Sequence, residues 1–202
     1  MFDEQFRGVF SRVLAAPVRS LARLGVSPNQ VTVAACVLGS AAGWLVADGR
    51  AVAGIAVWIA SRLLDGVDGL LARESGRGSA FGGYLDITLD MVAYSAMVLG
   101  FATVHPEGGV LWLVILAGYL LVTTGTLALA SALEVRRDQL VRTTRAIRFT
   151  SGFAEAGETS AVYVLLVAVP ALAVPIAWGW VLLLAATAVQ RTLLARRLLG
   201  DG

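Results

Sequence analysis

Residues 65–90 read DGVDGLLARESGRGSAFGGYLDITLD. Two aspartates three apart, Asp65 and Asp68, stand before a break rich in Gly and Ser; two more, Asp86 and Asp90, four apart, stand after it. Spacings of three and four place each pair on one helix face. The run from Glu74 to Ala80, with Gly76 and Gly78, reads as a short return between two helices. The flanks, 52–64 and 91–104, are largely apolar. The stretch is therefore the turn between two antiparallel, neighbouring membrane helices, with all four acids at similar depth near one surface. Each carboxylate in hydrocarbon costs roughly 2.5–3.5 kcal/mol on insertion scales. Four are tolerated only if they face one another around cations or line a wet cavity. Four hard oxygen ligands with no His or Cys nearby suit Mg2+ or Mn2+ rather than zinc. Two such ions can share the carboxylates and clamp a phosphoryl group during in-line displacement.

The rest of the chain agrees with a membrane setting. Its 202 residues are 57% hydrophobic and 15% charged, with a mean hydropathy of +0.77. Soluble domains carry about 25% charged residues, so the composition excludes a disordered chain and points away from an ordinary soluble domain. The one cysteine, Cys36, excludes a disulfide scaffold and a Cys-rich zinc site. Six apolar stretches are predicted as spans at 31–47, 52–72, 83–104, 109–133, 156–170 and 172–190, the fifth starting nearer Ser151. Pro170 and Pro175 bracket a tight link between the last two. Ahead of them, Phe2, Phe6, Val9, Phe10, Val13, Leu14, Val18 and Leu21 recur at three- and four-residue steps. Arg7, Arg12, Arg19 and Arg23 fall between them. This predicts a basic amphipathic helix lying in the headgroup layer, ended by Gly25 and followed by a restart at Ser27-Pro28. The expected fold is all-α: one domain over 1–202, with an interfacial helix at 1–25 and a bundle of six transmembrane helices at 26–202.

All 16 basic residues are Arg, and fourteen of them fall on one side of this layout. Arg50 is the single basic residue of the opposite loops, and Arg62 lies inside the second span. The positive-inside rule then puts both termini, and the aspartates with them, on the cytoplasmic side. Glycines surround the acids (Gly66, Gly69, Gly76, Gly78, Gly82 and Gly83), where they permit either close backbone approach by a ligand or close helix packing. Gly76-Arg-Gly78-Ser-Ala-Phe81 has Phe where a dinucleotide fingerprint needs its third Gly, and it follows no strand.

The pattern resembles the signature of the CDP-alcohol phosphatidyltransferase family, D-x2-D-G-x2-A-R-x8-G-x3-D-x3-D. Asp65, Asp68, Gly69, Ala72, Arg73, Gly82, Asp86 and Asp90 stand at its fixed positions. Val26-Ser-Pro-Asn-Gln-Val-Thr32 is similar to the family's lead-in to its first span. The resemblance is to the bacterial type that uses CDP-diacylglycerol. It implies an integral-membrane enzyme that transfers a phosphatidyl group to the hydroxyl of an acceptor alcohol and releases CMP. It further implies two divalent cations, Mg2+ or Mn2+, on Asp65, Asp68, Asp86 and Asp90, with Asp90 as general base. Asp68, Gly69, Ala72, Arg73 and Gly82 would bind the CDP/CMP moiety, with Gly76 and Ser79 close by and Asn29 and Thr32 as further candidates. A homodimer in a bacterial cytoplasmic membrane is implied as well, and no nucleic-acid partner is expected.

The acceptor stays open. Phosphorylated acceptors such as glycerol phosphate or inositol phosphate call for a basic pocket, and Arg137, Arg145, Arg148 and Arg191 are the candidates, against the alternative of ordinary positive-inside charge touching anionic lipid. Glu155 and Glu158 either bind acceptor hydroxyls or pair with Arg145 or Arg148. Met91 follows Asp90, where glycerophosphate and inositol-phosphate enzymes of the family usually carry a basic residue. The stretch from Phe149 to Thr159 resembles a less characterised bacterial branch. Other readings are a Mg-dependent intramembrane prenyltransferase, a transporter and a catalytically silent relative. The first needs two separated Asp motifs, the second charges at midplane, and the third a missing aspartate; the sequence has none of these features.

Overall fold

A computed structural model describes residues 14, 16–139 and 156–200, with the side chains of all these except 136–139 and 156. The described residues are helices joined by short turns, with no strand among them. Residues 16–23 form the described part of α1. Then follow α2 (Pro28–Ala47), α3 (Ala51–Ser75), α4 (Ala80–Val104), α5 (Leu111–Gln139), α6 (Ala156–Ala168) and α7 (Ala173–Leu199). Three of the six predicted spans, 31–47, 52–72 and 83–104, lie wholly inside these helices; the fourth and sixth begin just before α5 and α7, and the fifth runs just past the end of α6. The chain forms two compact units, residues 1–104 and 105–202.

In the first unit α2 is the central element, packed against both α3 and α4. Its start is set locally. Ser27 Oγ accepts the Gln30 N–H at 3.3 Å, the Gln30 side chain accepts the Ser27 N–H at 2.9 Å, and Pro28 fills the first helical position. The buried stripe Val31, Ala35, Gly39, Ala42, Gly43 and Val46 follows the helical repeat. Small residues let the partners come close. A Cβ on Gly43 would run into the Ala96 backbone carbonyl, and one on Gly100 into that of Gly43. Gly43→Val is therefore expected to destabilise the protein by about 1–3 kcal/mol, the usual range for overpacking; an unchanged melting temperature in detergent would contradict this contact. Val18 of α1 is buried with Val31, Val67 and Leu71, while Arg19 and Arg23 are exposed.

α3 and α4 are neighbours, as the short return predicts, and meet through their side chains. Because α2 packs against both, the two helices do not pack closely on each other, and long side chains bridge them instead. The return itself is built as expected: Gly76 caps α3 at φ +64°, a conformation that suits Gly.

In the second unit α7 packs against α5 and α6. A buried polar cluster links all three: the Tyr119 and Tyr163 hydroxyls lie 3.0 Å apart, and Trp180 Nε1 donates to Tyr119 at 2.9 Å. A 3₁₀ turn at Pro170–Leu172 leads into α7. α5 runs past its predicted end at 133, carrying Arg136 and Arg137 in helix.

Among the described residues four helical segments are long and apolar enough to cross a membrane: α2, α4, Leu111–Val135 of α5, and Pro170–Leu199. α3 carries the charges Arg62, Asp65, Asp68 and Arg73, and the described α6 has 13 residues. Large apolar side chains such as Trp44, Leu113, Leu120 and Leu182 are exposed. With the four apolar segments they mark an integral membrane protein.

Candidate active site

The motif acids come from α3 and α4 of the first unit. One carboxylate oxygen each from Asp65, Asp68 and Asp86 lies within 4.8 Å of the others. Among the described residues this is the one grouping of three or more His, Cys, Asp or Glu able to share an ion. An all-oxygen donor set that brings negative charges together fits a hard divalent cation. Asp68 is buried, and Thr32 of α2 donates a hydrogen bond to its carboxylate at 2.5 Å. Thr32 thus fixes which Asp68 oxygen is left to face the group.

Asp90 falls outside that 4.8 Å grouping. Its carboxylate accepts a hydrogen bond from Arg62 Nη1, which also lies 3.7 Å from Asp65. The Arg62 guanidinium stacks 4.6 Å from the Trp58 ring centroid and 5.3 Å from that of Tyr94. Its Nη2 donates to Ser61 Oγ at 3.0 Å. The sequence places Arg62 inside a span, where a charge in an apolar helix must have a partner. Asp65, three residues on, was the visible signal.

A cavity of about 160 Å³ opens beside Asp68 and Asp86. Asn29, Thr32, Gly69, Ala72, Ser79 and Gly82, which the sequence analysis groups as candidates for one pocket, line it. A Cβ on Gly82 would lie 3.0 Å from Asn29 Oδ1, so a side chain there would narrow the cavity. The N-terminus of α4 faces it through Gly78, Ser79, Gly82 and Gly83. Ser79 Oγ accepts the Gly82 N–H at 3.0 Å, which caps the helix and shapes an end suited to anions.

Two expected residues are absent from the lining. Gly76 serves the cap of α3. Arg73 is exposed, with its guanidinium over Gly69, 3.6 Å from where a Cβ would stand. Arg77, which the sequence did not single out, does line the cavity, and its Nη1 reaches the Gly25 carbonyl at 3.5 Å. Of the acceptor candidates, Glu158 is exposed in the first turn of α6. Arg191 lines a separate, mostly apolar cavity of about 600 Å³ within the second unit. Arg137 is helical, and Arg145, Arg148 and Glu155 lie outside the described residues.

A sequence model of CDP-alcohol phosphatidyltransferases matches residues 25–192. Inner membrane protein YnjF of Escherichia coli is 31% identical over 171 residues, covering 82% of this chain and 81% of that one. A phosphatidylinositol phosphate synthase of Streptomyces avermitilis is 41% identical over 114 residues, 54% of this chain but 45% of that protein. The match thus spans less than half of the synthase. In fold, the chain is similar to a crystal structure of Mycobacterium tuberculosis phosphatidylinositol phosphate synthase (PgsA1) with CDP-DAG bound. The TM-score is 0.77 at 22% identity, covering 92% of this chain and 94% of that one. A structure of the same protein with manganese and citrate gives a TM-score of 0.74 at 22% identity, over 89% and 87% of the two chains.

Proposed function

The chain belongs to the CDP-alcohol phosphatidyltransferase family, and we propose that it transfers a phosphatidyl group from CDP-diacylglycerol to the hydroxyl of an acceptor alcohol. The observation that carries this reading is the placement of Asp68 and Asp86, two of the three clustered carboxylates, in the wall of a cavity that Asn29, Thr32, Gly69, Ala72, Ser79 and Gly82 also line. The acceptor oxygen attacks the phosphorus bearing the lipid. The bond from that phosphorus to the CMP oxygen breaks, and the electron pair leaves with CMP. The acceptor's proton passes to Asp90, the general base. Two divalent cations on Asp65, Asp68, Asp86 and Asp90 supply, when bound, the positive charge that holds the pyrophosphate and steadies the leaving phosphate.

The protein's own groups complete the site. Thr32 orients Asp68, and Gly69 and Gly82 leave room for the nucleotide. The α4 N-terminus and Arg77 offer donors to phosphate, with Arg73 at the edge and Gly76 holding the turn. For the acceptor we assign a phosphorylated alcohol, of the inositol phosphate or glycerol phosphate kind. The Arg-rich segment 136–148 and the names of several relatives support it. Arg137, Arg145, Arg148 and Arg191 are its proposed anion contacts, and Glu155 and Glu158 those of its hydroxyls.

The Arg asymmetry supports six crossings with both termini and the site on the cytoplasmic face, and α1 at the interface. The family match across both compact units supports one functional domain over 1–202, and a homodimer follows by family resemblance. Purified protein given labelled CDP-diacylglycerol, Mn2+ or Mg2+, and a panel of phosphorylated and neutral alcohols should release CMP with one phosphorylated acceptor. Release of no CMP with any acceptor, at metal levels that bind, overturns the transferase reading. Release with a neutral alcohol alone overturns the acceptor assignment.

A further inference from the structure

We propose that Gln190 of α7 is a further contact for the acceptor: its side-chain amide takes a hydroxyl of the phosphorylated alcohol whose phosphate Arg191 takes. The inference rests on the reading of the acceptor as a phosphorylated alcohol.

The buried stripe of α7 runs through Ala173, Ala177, Trp180, Leu184 and Thr187 at alternating steps of four and three. The next step of four reaches Arg191, with Gln190 beside it. The earlier polar groups of the stripe are satisfied within the second unit. Trp180 Nε1 donates to Tyr119, and Thr187 Oγ1 donates to the Leu183 carbonyl at 2.9 Å. The pair at the end is not satisfied. Gln190 Oε1 is buried without a hydrogen-bond partner; among the described residues only one other side-chain atom, Arg62 Nε, shares that state. Arg191 is half-buried and takes part in none of the ion pairs formed among the described residues. The cavity of about 600 Å³ that it lines holds no acid to pair with it. Folded proteins leave few buried polar atoms unpaired, and a charge in line with the core stripe of a membrane helix calls for a partner.

The two groups suit different parts of one molecule. The planar fork of Arg191 matches a phosphate. A carboxamide matches a hydroxyl, because each both donates and accepts. Consecutive residues of a helix point about 100° apart, from Cα atoms about 3.8 Å apart. A ligand held by both therefore carries a hydroxyl close to its phosphate. Glycerol phosphate and inositol phosphate meet that condition, and inorganic phosphate does not. Arg191 thus supplies affinity for any phosphate, while Gln190 supplies preference for the polyol attached to it.

The test is titration calorimetry on the full-length protein in detergent, with Mg2+ and saturating CMP so that the carboxylate site is filled. Inositol phosphate, glycerol phosphate and inorganic phosphate are the probes. The wild type should bind one of the two polyol phosphates more tightly than inorganic phosphate. Gln190→Met has similar length and no polar end. It is expected to bind that polyol phosphate about tenfold more weakly, the worth of one hydrogen bond, with inorganic phosphate within about twofold of wild type. Gln190→Asn sets the amide back by one methylene and should lose about three- to fivefold on the polyol phosphate alone. Arg191→Gln should weaken both kinds of ligand by about tenfold or more. Polyol phosphate binding in Gln190→Met within about twofold of wild type, or an equal loss for inorganic phosphate, overturns the proposal. Should that variant not fold, either result in Gln190→Asn overturns it. If the wild type binds neither polyol phosphate, the phosphorylated-acceptor reading fails and the role of Gln190 with it. If Arg191→Gln weakens the bound acceptor and the Gln190 variants do not, only the role of Gln190 fails.

Discussion

Asp90→Asn is expected to lower turnover by about 10³-fold, in the range that a positioned general base contributes, with the protein still folded. The size of the loss follows from what the substitution leaves intact. Asn is nearly isosteric with Asp, and its carbonyl oxygen can still accept from Arg62 Nη1. The stack of Arg62 on Trp58 needs no carboxylate. Asp65, Asp68 and Asp86 keep their oxygens within 4.8 Å of one another, so a divalent cation still has a seat. The cavity proposed for the nucleotide borders Asp68 and Asp86 and does not include position 90 in its lining. Binding of the CDP-lipid should therefore fall far less than turnover, since Asp90 is one of four proposed cation ligands while its part as proton acceptor is lost outright. Single-turnover CMP release, CDP-lipid binding and a melting curve on the same preparation give the three readings. Turnover within tenfold of wild type would remove Asp90 as the base, and binding lost in step with turnover would leave it a cation ligand only.

The helices were legible in the sequence because their signals are local. The run of apolar residues, Ser27 with Gln30 and Pro28, and Gly76 at the end of α3 each act within a few residues. The trio of Asp65, Asp68 and Asp86 was legible for the same reason. Two of its members share a helix face, and the short return brings the third. What was not legible depends on how helices far apart in sequence pack. α2 packs against both α3 and α4 because Gly39, Ala42 and Gly43 let their backbones in. No pattern within residues 65–90 contains that information. Nor does any local pattern show that the Asp90 carboxylate meets Arg62, 28 residues away. Arg77 was missed on similar grounds. In sequence it is one more inner-loop arginine, and only the folded turn brings it to the cavity and the Gly25 carbonyl.

Removing divalent cations should abolish catalysis and weaken substrate binding together, and the second effect is the more informative. The site sets Asp65, Asp68 and Asp86 where a pyrophosphate must lie, with Asp68 buried and Asp86 half-buried. Like charges a few ångströms apart in a partly desolvated site repel by several kcal/mol, about 4 kcal/mol per pair at 4 Å and an effective dielectric of 20. Arg62 is already engaged by Asp90, and Arg73 is exposed, so neither offsets the trio in full. A protein stripped with EDTA is therefore expected to bind CDP-diacylglycerol at least 100-fold more weakly, the conversion of about 3 kcal/mol at 1.4 kcal/mol per tenfold. Readdition of Mn2+ or Mg2+ should restore both binding and turnover. Ca2+ should restore binding better than turnover, because its longer, looser coordination holds the phosphate less tightly in line. The comparison that decides is CDP-lipid binding with and without EDTA in the Asp68→Asn variant. Neutralising the buried aspartate removes one ligand and one repelling charge at once. The metal dependence of binding should shrink there, while turnover stays near background even at saturating Mn2+. If EDTA leaves wild-type binding unchanged, the carboxylates do not meet the pyrophosphate, and the cavity beside Asp68 and Asp86 holds some other part of the substrate.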